Sequence, residues 1–305
     1  MNNMTKQKLR ITVILSLLTL LTNNSTYGQF VPNRSIHEFT IYGSGGLSTF
    51  RYDLSDGNGH SGIGSNFGVG YTFFVNRQWG VHSGAGLGMY NTRVKADNAK
   101  IVSTNLIDEE GDRFNMHTTI FDFNEKQKAM YLNIPVMAIY QRNIQESLFY
   151  VMGGFKLGIP ISGKYASTST KLENASYYPD YDNWAFSQEF AGNGSFDDKR
   201  FNGKFKPGVS LMLSLETGTK FNIHEYISLS VGAFFDGGLN NVSKDKPFIS
   251  YNAKDPSDFN ASLFSVADKT KVIAAGIILR LHFDYLFFKS EENRRYPYTN
   301  PYQGR

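Results

Sequence analysis

The sequence predicts an all-β fold: an up-and-down antiparallel transmembrane β-barrel of eight strands, with long external loops and short periplasmic turns. Three observations predict it. Eight segments alternate apolar and polar residues with a period of two, which sends successive side chains to opposite faces. Each segment runs for roughly 10–16 residues, longer than the about 5–6 of a globular strand and enough for the about 9–11 that cross a bilayer at a tilt. The connections between them are alternately short and long, the mark of an outer-membrane barrel.

Composition narrows the field further. Whole-chain disorder is excluded by 41% hydrophobic and 15% aromatic residues, and charged residues are only 19%. The chain has no cysteine, which excludes a disulfide scaffold, thiolate metal sites, cysteine catalysis and a lipoprotein anchor.

The first element is residues 1–28. Lys6, Lys8 and Arg10 make a basic head, and Ile11 to Leu21 is an apolar run shorter than the about 20 residues a membrane helix needs. A polar stretch then ends at small Gly28, as in a secretory signal peptide. Its removal takes three positive charges from a formal net charge of +4, leaving +1 (4 − 3), so no nucleic-acid partner is expected.

Residues 29–288 are expected to form the barrel, with strands at about 37–50, 63–75, 79–92, 128–141, 149–164, 208–221, 226–240 and 275–285. The third sends Trp79, Val81, Ala85, Leu87 and Met89 to one face and Gly80, His82, Gly84, Gly86, Gly88 and Tyr90 to the other. The fifth separates Phe149, Val151, Phe155, Leu157 and Ile159 from Tyr150, Met152, Lys156 and Pro160. The last separates Ile277, Leu279 and Leu281 from Arg280, His282 and Asp284. Short connections fall at 75–78, 142–147 and 222–225, and long ones at 51–62, 93–127, 165–205 and 241–270. Two of the long connections are much longer than a minimal barrel needs and leave room for an extra hairpin that would make ten strands; His117 to Asn124 either belong to it or extend the fourth strand. The polar tail 289–305 is expected to hang in the periplasm, either as a disordered end or in contact with a partner there.

Aromatic residues near the strand ends predict two interfacial girdles. The periplasmic one comprises Tyr71, Phe73, Trp79, Tyr140, Phe149, Phe221, Tyr226, Tyr285 and Phe287; the outer one comprises Phe50, Tyr90, Tyr131, Tyr165 and Phe205. Lipid-facing strands leave no backbone group unpaired only if the sheet closes, and an eight-stranded barrel is narrow enough for side chains to fill it. Inward glycines such as Gly68, Gly86, Gly158 and Gly232 make that filling feasible. Inward charges must then pair, since an isolated buried charge is costly. Lys156, Glu216, Asp236, Arg280 and Asp284 are the candidates for a lumen charge network, with His82 at similar depth. A proton or solute path is the functional alternative for the same residues.

The chain resembles the PorT-like outer-membrane β-barrels, relatives in architecture of OmpA- and OmpX-type barrels. The resemblance rests on the opening strand Phe39-Thr40-Ile41-Tyr42-Gly43-Ser44-Gly45-Gly46, the box Tyr131-Leu132-Asn133-Ile134-Pro135, the run Phe149-Tyr150-Val151-Met152-Gly153-Gly154 with Gly158, and the closing Leu279-Arg280-Leu281-His282-Phe283-Asp284-Tyr285. It implies an outer-membrane location in a Gram-negative cell and fixes no activity; some such barrels assist type IX secretion. The inward Pro135 is expected to mark a bulge or bend.

Other motifs carry less. Gly62-Ile63-Gly64 with Gly68 continues into a strand, where a dinucleotide loop needs a helix, so no cofactor is expected. Asp108-Glu109-Glu110-Gly111-Asp112 lacks the ligand spacing of a calcium loop, and the six histidines lack zinc spacing, so no metal site is expected. No paired Asp and His and no Ser-His-Asp set meet at the outer rim, so no catalytic residue is assigned. In the third long connection Tyr177, Tyr178, Tyr181 and Trp184 mix with Asp and Asn, which suits either recognition of a partner or packing over the barrel mouth. The expected function is that of a non-enzymatic integral outer-membrane barrel. It would be in contact with membrane lipid and structural or accessory to a membrane or secretion complex, with a protein partner met through loops or tail. A narrow channel or transporter for small solutes is the alternative.

Overall fold

In the computed structural model, residues 37–52, 57–144, 147–187, 192–224, 226–243, 248–250, 260–265 and 270–284 are described. The expected signal segment, the tail and the aromatics Tyr285, Phe287 and Phe288 lie outside them. The strands are β1 (His37–Tyr52), β2 (Gly57–Phe74), β3 (Trp79–Ala96), β4 (Ala99–Ile107), β5 (Arg113–Phe121), β6 (Phe123–Ile144), β7 (Ser147–Tyr178), β8 (Asn183–Ala185), β9 (Gly194–Phe205), β10 (Ser210–His224), β11 (Ile227–Gly238), β12 (Ile249–Ser250), β13 (Asn260–Ala261) and β14 (Thr270–Asp284).

Eight of these close a ring in the order β1-β2-β3-β6-β7-β10-β11-β14 and back to β1, every neighbour antiparallel. Closure pairs Glu38 with Asp284 at one end of the β1–β14 seam and Tyr52 with Thr270 at the other. The turn at 75–78 shows how a short connection is set. The Asn76 side-chain oxygen accepts the N–H groups of Gln78 at 2.9 Å and Trp79 at 2.7 Å, and so folds the chain back locally.

The dyad decides which way each residue faces. Ile41, Leu47, Phe67, Val69, Val81, Leu87, Val136, Phe155, Leu213 and Ile277 point outward and stay 40–63% exposed, a contiguous apolar belt that lipid would cover. At its periplasmic margin Trp79 lies opposite Tyr140 with ring centroids 4.9 Å apart, and Phe39 meets Tyr71 at 5.2 Å. The outer girdle is not where the sequence placed it. Phe50, Tyr90, Tyr131 and Phe205 are 0–9% exposed and point into the barrel, where they form a plug with Met212, Val242, Phe264 and Val272. Their positions share the parity of the inward residues, and nearness to a strand end says nothing about the face.

The inner face is correspondingly less polar than the alternation implied. A second apolar layer, Phe74, Met137, Ile139, Leu148, Tyr150 and Met152, fills the barrel toward the short-turn end. Glycines make space for the large rings. A Cβ on Gly68 would lie 2.6 Å from the Tyr42 hydroxyl, and one on Gly232 would lie 2.7 Å from that of Tyr150.

Pro135 faces inward but makes no bulge. β6 runs through it in one register with β3, and the ladder only skips the pairs between Ser83–Val136 and Gly86–Asn133, where proline has no N–H to give. The register shift of this region lies instead on β7, between Pro160 and Ser162 opposite Tyr131 and Met130. It switches the outward set on β7 from odd positions to even ones.

The long connections are largely strand. β7 is 32 residues long and continues well above the ring. On one side β5 takes over from β6 along it; on the other β9 and then β8 take over from β10. The β4–β5 hairpin thus exists, but it joins this cap and not the ring, so the barrel has eight strands, not ten. His117 to Phe121 belong to β5, and Phe123 and Asn124 open β6, with Asp122 at a positive φ of 47° between them. The cap has its own core of Val94, Phe114, Met116, Ile120, Phe123, Leu172 and Phe201, closed over by Phe248, Ile249 and Leu263.

Candidate functional site

Strand parity brings a set of ionisable side chains into the lumen. Lys156 of β7 donates to both oxygens of Asp236 on β11, at 2.8 and 2.6 Å, and the Ser214 hydroxyl donates to the same carboxylate at 2.6 Å. Arg280 of β14 grips Glu216 of β10 in a two-point fork, Nε to Oε1 at 2.8 Å and Nη2 to Oε2 at 2.6 Å. The Tyr150 hydroxyl donates to Glu216 at 2.9 Å, and the guanidinium lies 4.6 Å from the Tyr42 ring centroid. Toward the short-turn end Glu38 of β1 takes Lys220 on one oxygen and His282 on the other, and His282 contacts the Ser230 hydroxyl at 2.8 Å. His82 pairs with the Thr72 hydroxyl at 2.9 Å, its other nitrogen 3.5 Å from Arg280.

Three cations thus meet three carboxylates, each pair buried between strands that are not neighbours or lie across the bore. Charges in a low-dielectric interior hold their form only when so matched. Of the five residues singled out from sequence, four fall into these pairs. Asp284 does not join them; it sits half-buried at the end of β14, its backbone N–H donating to the Tyr226 carbonyl. Glu38, Lys220 and His282 were not singled out, although each has inward parity. With each of its carboxylates matched to a cation, this constellation cross-braces the barrel. Among the described residues no three His, Asp or Glu side chains converge as metal ligands would.

The cap holds the aromatic set. Tyr178 stacks on Phe114 at 5.4 Å and packs against the cap core. The Tyr177 hydroxyl donates to Asp182 at 2.9 Å, and that of Tyr181 donates to Asp112 at 3.1 and 3.2 Å, which ties the β7–β8 turn to the β4–β5 turn. Asp108 closes that second turn by accepting the N–H groups of Glu110 at 3.1 Å and Asp112 at 2.8 Å. Trp184 is 42% exposed, 4.9 Å from both Tyr177 and His117, and stacked on Phe186 at 5.6 Å. His117 and Phe186 are members that sequence reasoning missed. The Trp184–Phe186 spacing of two, which puts both rings on one face of an extended chain, was the available signal.

Glu125 of β6 is fully buried, and its carboxylate accepts four hydrogen bonds: from the Gln127 amide, the Ser167 and Ser262 hydroxyls at 3.0 Å each, and the Leu263 N–H at 3.0 Å. Burial pushes its pKa above the ordinary value, and the four donors pull the other way.

Comparison with known proteins adds a family match and a set of structural likenesses. The family model described as outer membrane protein beta-barrel domain matches residues 27–244. Among solved structures, OprG from Pseudomonas aeruginosa is similar over 84% of this chain and 99% of its own, at 12% identity and a TM-score of 0.35. Neisserial surface protein A is similar over 81% and 97%, at 10% identity and a TM-score of 0.31. Ail, the attachment invasion locus protein of Yersinia pestis, is similar over 81% and 98%, at 13% identity and a TM-score of 0.29. No curated protein matches.

Proposed function

The chain belongs to the outer membrane protein beta-barrel domain family and is an outer-membrane protein; on that premise we propose that it is a non-enzymatic anchor and contact protein, structural or accessory to a membrane or secretion complex. The observation that carries this reading is the filling of the barrel: three buried ion pairs stand between two apolar layers. Such a bore favours a plug over a path, which leaves the external cap to meet a partner. The exposed Trp184–Phe186 stack, flanked by Tyr177 and His117, is the surface best suited to that contact. The Tyr131-to-Pro135 box supports placing the chain with the PorT-like barrels, and through them beside a secretion complex.

Two measurements test the reading. In planar bilayers the purified protein is expected to give no steady conductance; large steady channels would favour the narrow-channel alternative. Affinity purification from native membranes is expected to bring down a stoichiometric partner with the wild type and to lose it with Trp184→Ala/Phe186→Ala. Retention of that partner by the double variant would remove the aromatic patch from the proposal.

A further inference from the structure

Above the apolar belt, the outward face of β3, β6, β7 and β9 carries a shallow groove of about 740 Å³. Five cations line it, Arg93, Lys126, Lys128, Lys164 and Lys204, and no acidic residue does. The strand registers make the arrangement sharper. Lys128 lies directly opposite Lys164, and Lys164 directly opposite Lys204, so three lysines stand in one row across three neighbouring strands. One step further from the membrane Arg93 lies opposite Lys126. Among the described residues none of the five is paired with a carboxylate.

Like charges placed directly opposite on one sheet face repel and destabilise the pairing. Elsewhere cations are mostly matched: the lumen pairs each cation with an anion and exposed Lys171 pairs with Glu173, while Arg51 opposite Lys271 is an isolated like-charge pair with no third cation in its row. A row of unmatched lysines therefore calls for an anion from outside. What lies beneath fixes its kind. Down β7 below Lys164 come exposed Ser162 and then the outward Ile161, Ile159, Leu157 and Phe155, the last four each 38–54% exposed. Down β6 below Lys128 they run Met130, Leu132, Ile134 and Val136. An anion seated on the row thus has an apolar wall directly under it, of the length that acyl chains would lie along.

We propose that the row Lys128–Lys164–Lys204, with Arg93 and Lys126 above it, is a binding site for the phosphorylated headgroup of an outer-leaflet lipid, whose acyl chains lie on the apolar wall below. Ammonium groups act as point charges toward phosphate, and a cluster of them at a membrane margin recognises anionic headgroups. The site goes beyond general lipid contact, because it selects for phosphate at one place on the barrel's circumference.

The test uses the full chain refolded in a zwitterionic detergent. It is titrated with diphosphoryl lipid A, with the same lipid A after removal of both phosphates, and with inorganic phosphate, and native mass spectrometry counts what stays bound. The phosphorylated lipid is expected to bind at least tenfold more tightly than the dephosphorylated one. Lys128→Gln/Lys164→Gln/Lys204→Gln should erase that margin, while Lys100→Gln/Lys199→Gln, in the cap, should keep it. Thermal melting gives a second readout. Without lipid the triple variant should melt higher than the wild type, because its repulsion is relieved; with diphosphoryl lipid A the order should reverse. Equal affinity of the triple variant and the wild type, equal binding of the two lipid forms, or retention of inorganic phosphate without retention of lipid A would overturn the proposal.

Discussion

At the scale of the residue, the lumen is organised by complementarity of charge and of volume. Lys156 and Asp236 are each nearly inaccessible, so removing one partner strands the other in a medium that cannot solvate it. Lys156→Met is expected to cost about 3–5 kcal/mol, and Lys156→Met/Asp236→Leu to recover most of it, as such pairs generally behave. Reversible urea unfolding in detergent micelles checks both values; a double variant as unstable as the single would contradict the account. These positions were legible in the sequence because an ionisable residue on the inward parity of a membrane strand has few places to go. Glu38, Lys220 and His282 obey the same rule, since each has inward parity and Glu38 and His282 are buried, with Lys220 nearly so. The plugging aromatics were misplaced for want of it. Tyr90 and Tyr131 look like interfacial residues by type, but parity fixes their direction, and their rings meet edge-on at 5.6 Å inside.

At the scale of the element, the cap depends on how the last long connection is fastened. Residues Ser262 and Leu263 are held to β6 through Glu125, which lies in a strand otherwise committed to the barrel. Burial raises the Glu125 pKa above its ordinary value of 4.5, so the folded cap prefers the protonated acid. That contribution is fully present below the ordinary value and is lost as pH rises through the raised one. Amide exchange at residues 260–265, corrected for its intrinsic pH dependence, is therefore expected to show protection that is strongest below the ordinary carboxylate range and weakens as pH rises. Glu125→Gln should flatten the difference; an unchanged slope would mean that another group sets it. Glu125 was not legible beforehand, because three of its four partners come from residues 42 and 137–138 positions away, and local Gln127 alone announces nothing.

At the scale of the whole molecule, the ring and the cap are two constructions on one set of strands. The ring was legible because lipid on one side and a narrow bore on the other enforce a strict alternation. The cap was not, because strands above the bilayer have water on their outer face and need no apolar stripe there; β9, with Asp197, Asp198, Lys199, Arg200 and Lys204, reads as a polar loop. Since β4 and β5 take no part in closure, replacing residues 99–121 by a short glycine linker is expected to leave a barrel that still refolds, with its β-sheet circular dichroism and its heat-dependent gel shift intact. Failure to refold would mean that the cap templates the ring. β7 belongs to both constructions without a break. At about 3.3 Å per residue its 32 residues span roughly 100 Å. A pull on the tip near Tyr178 would run down one continuous backbone into the bilayer, loading the bonds to β5, β6, β8, β9 and β10 in shear, so that many must yield together before any part of the strand comes away. In β7 a load applied at the cap is thus carried to the short-turn end of the barrel by one unbroken strand.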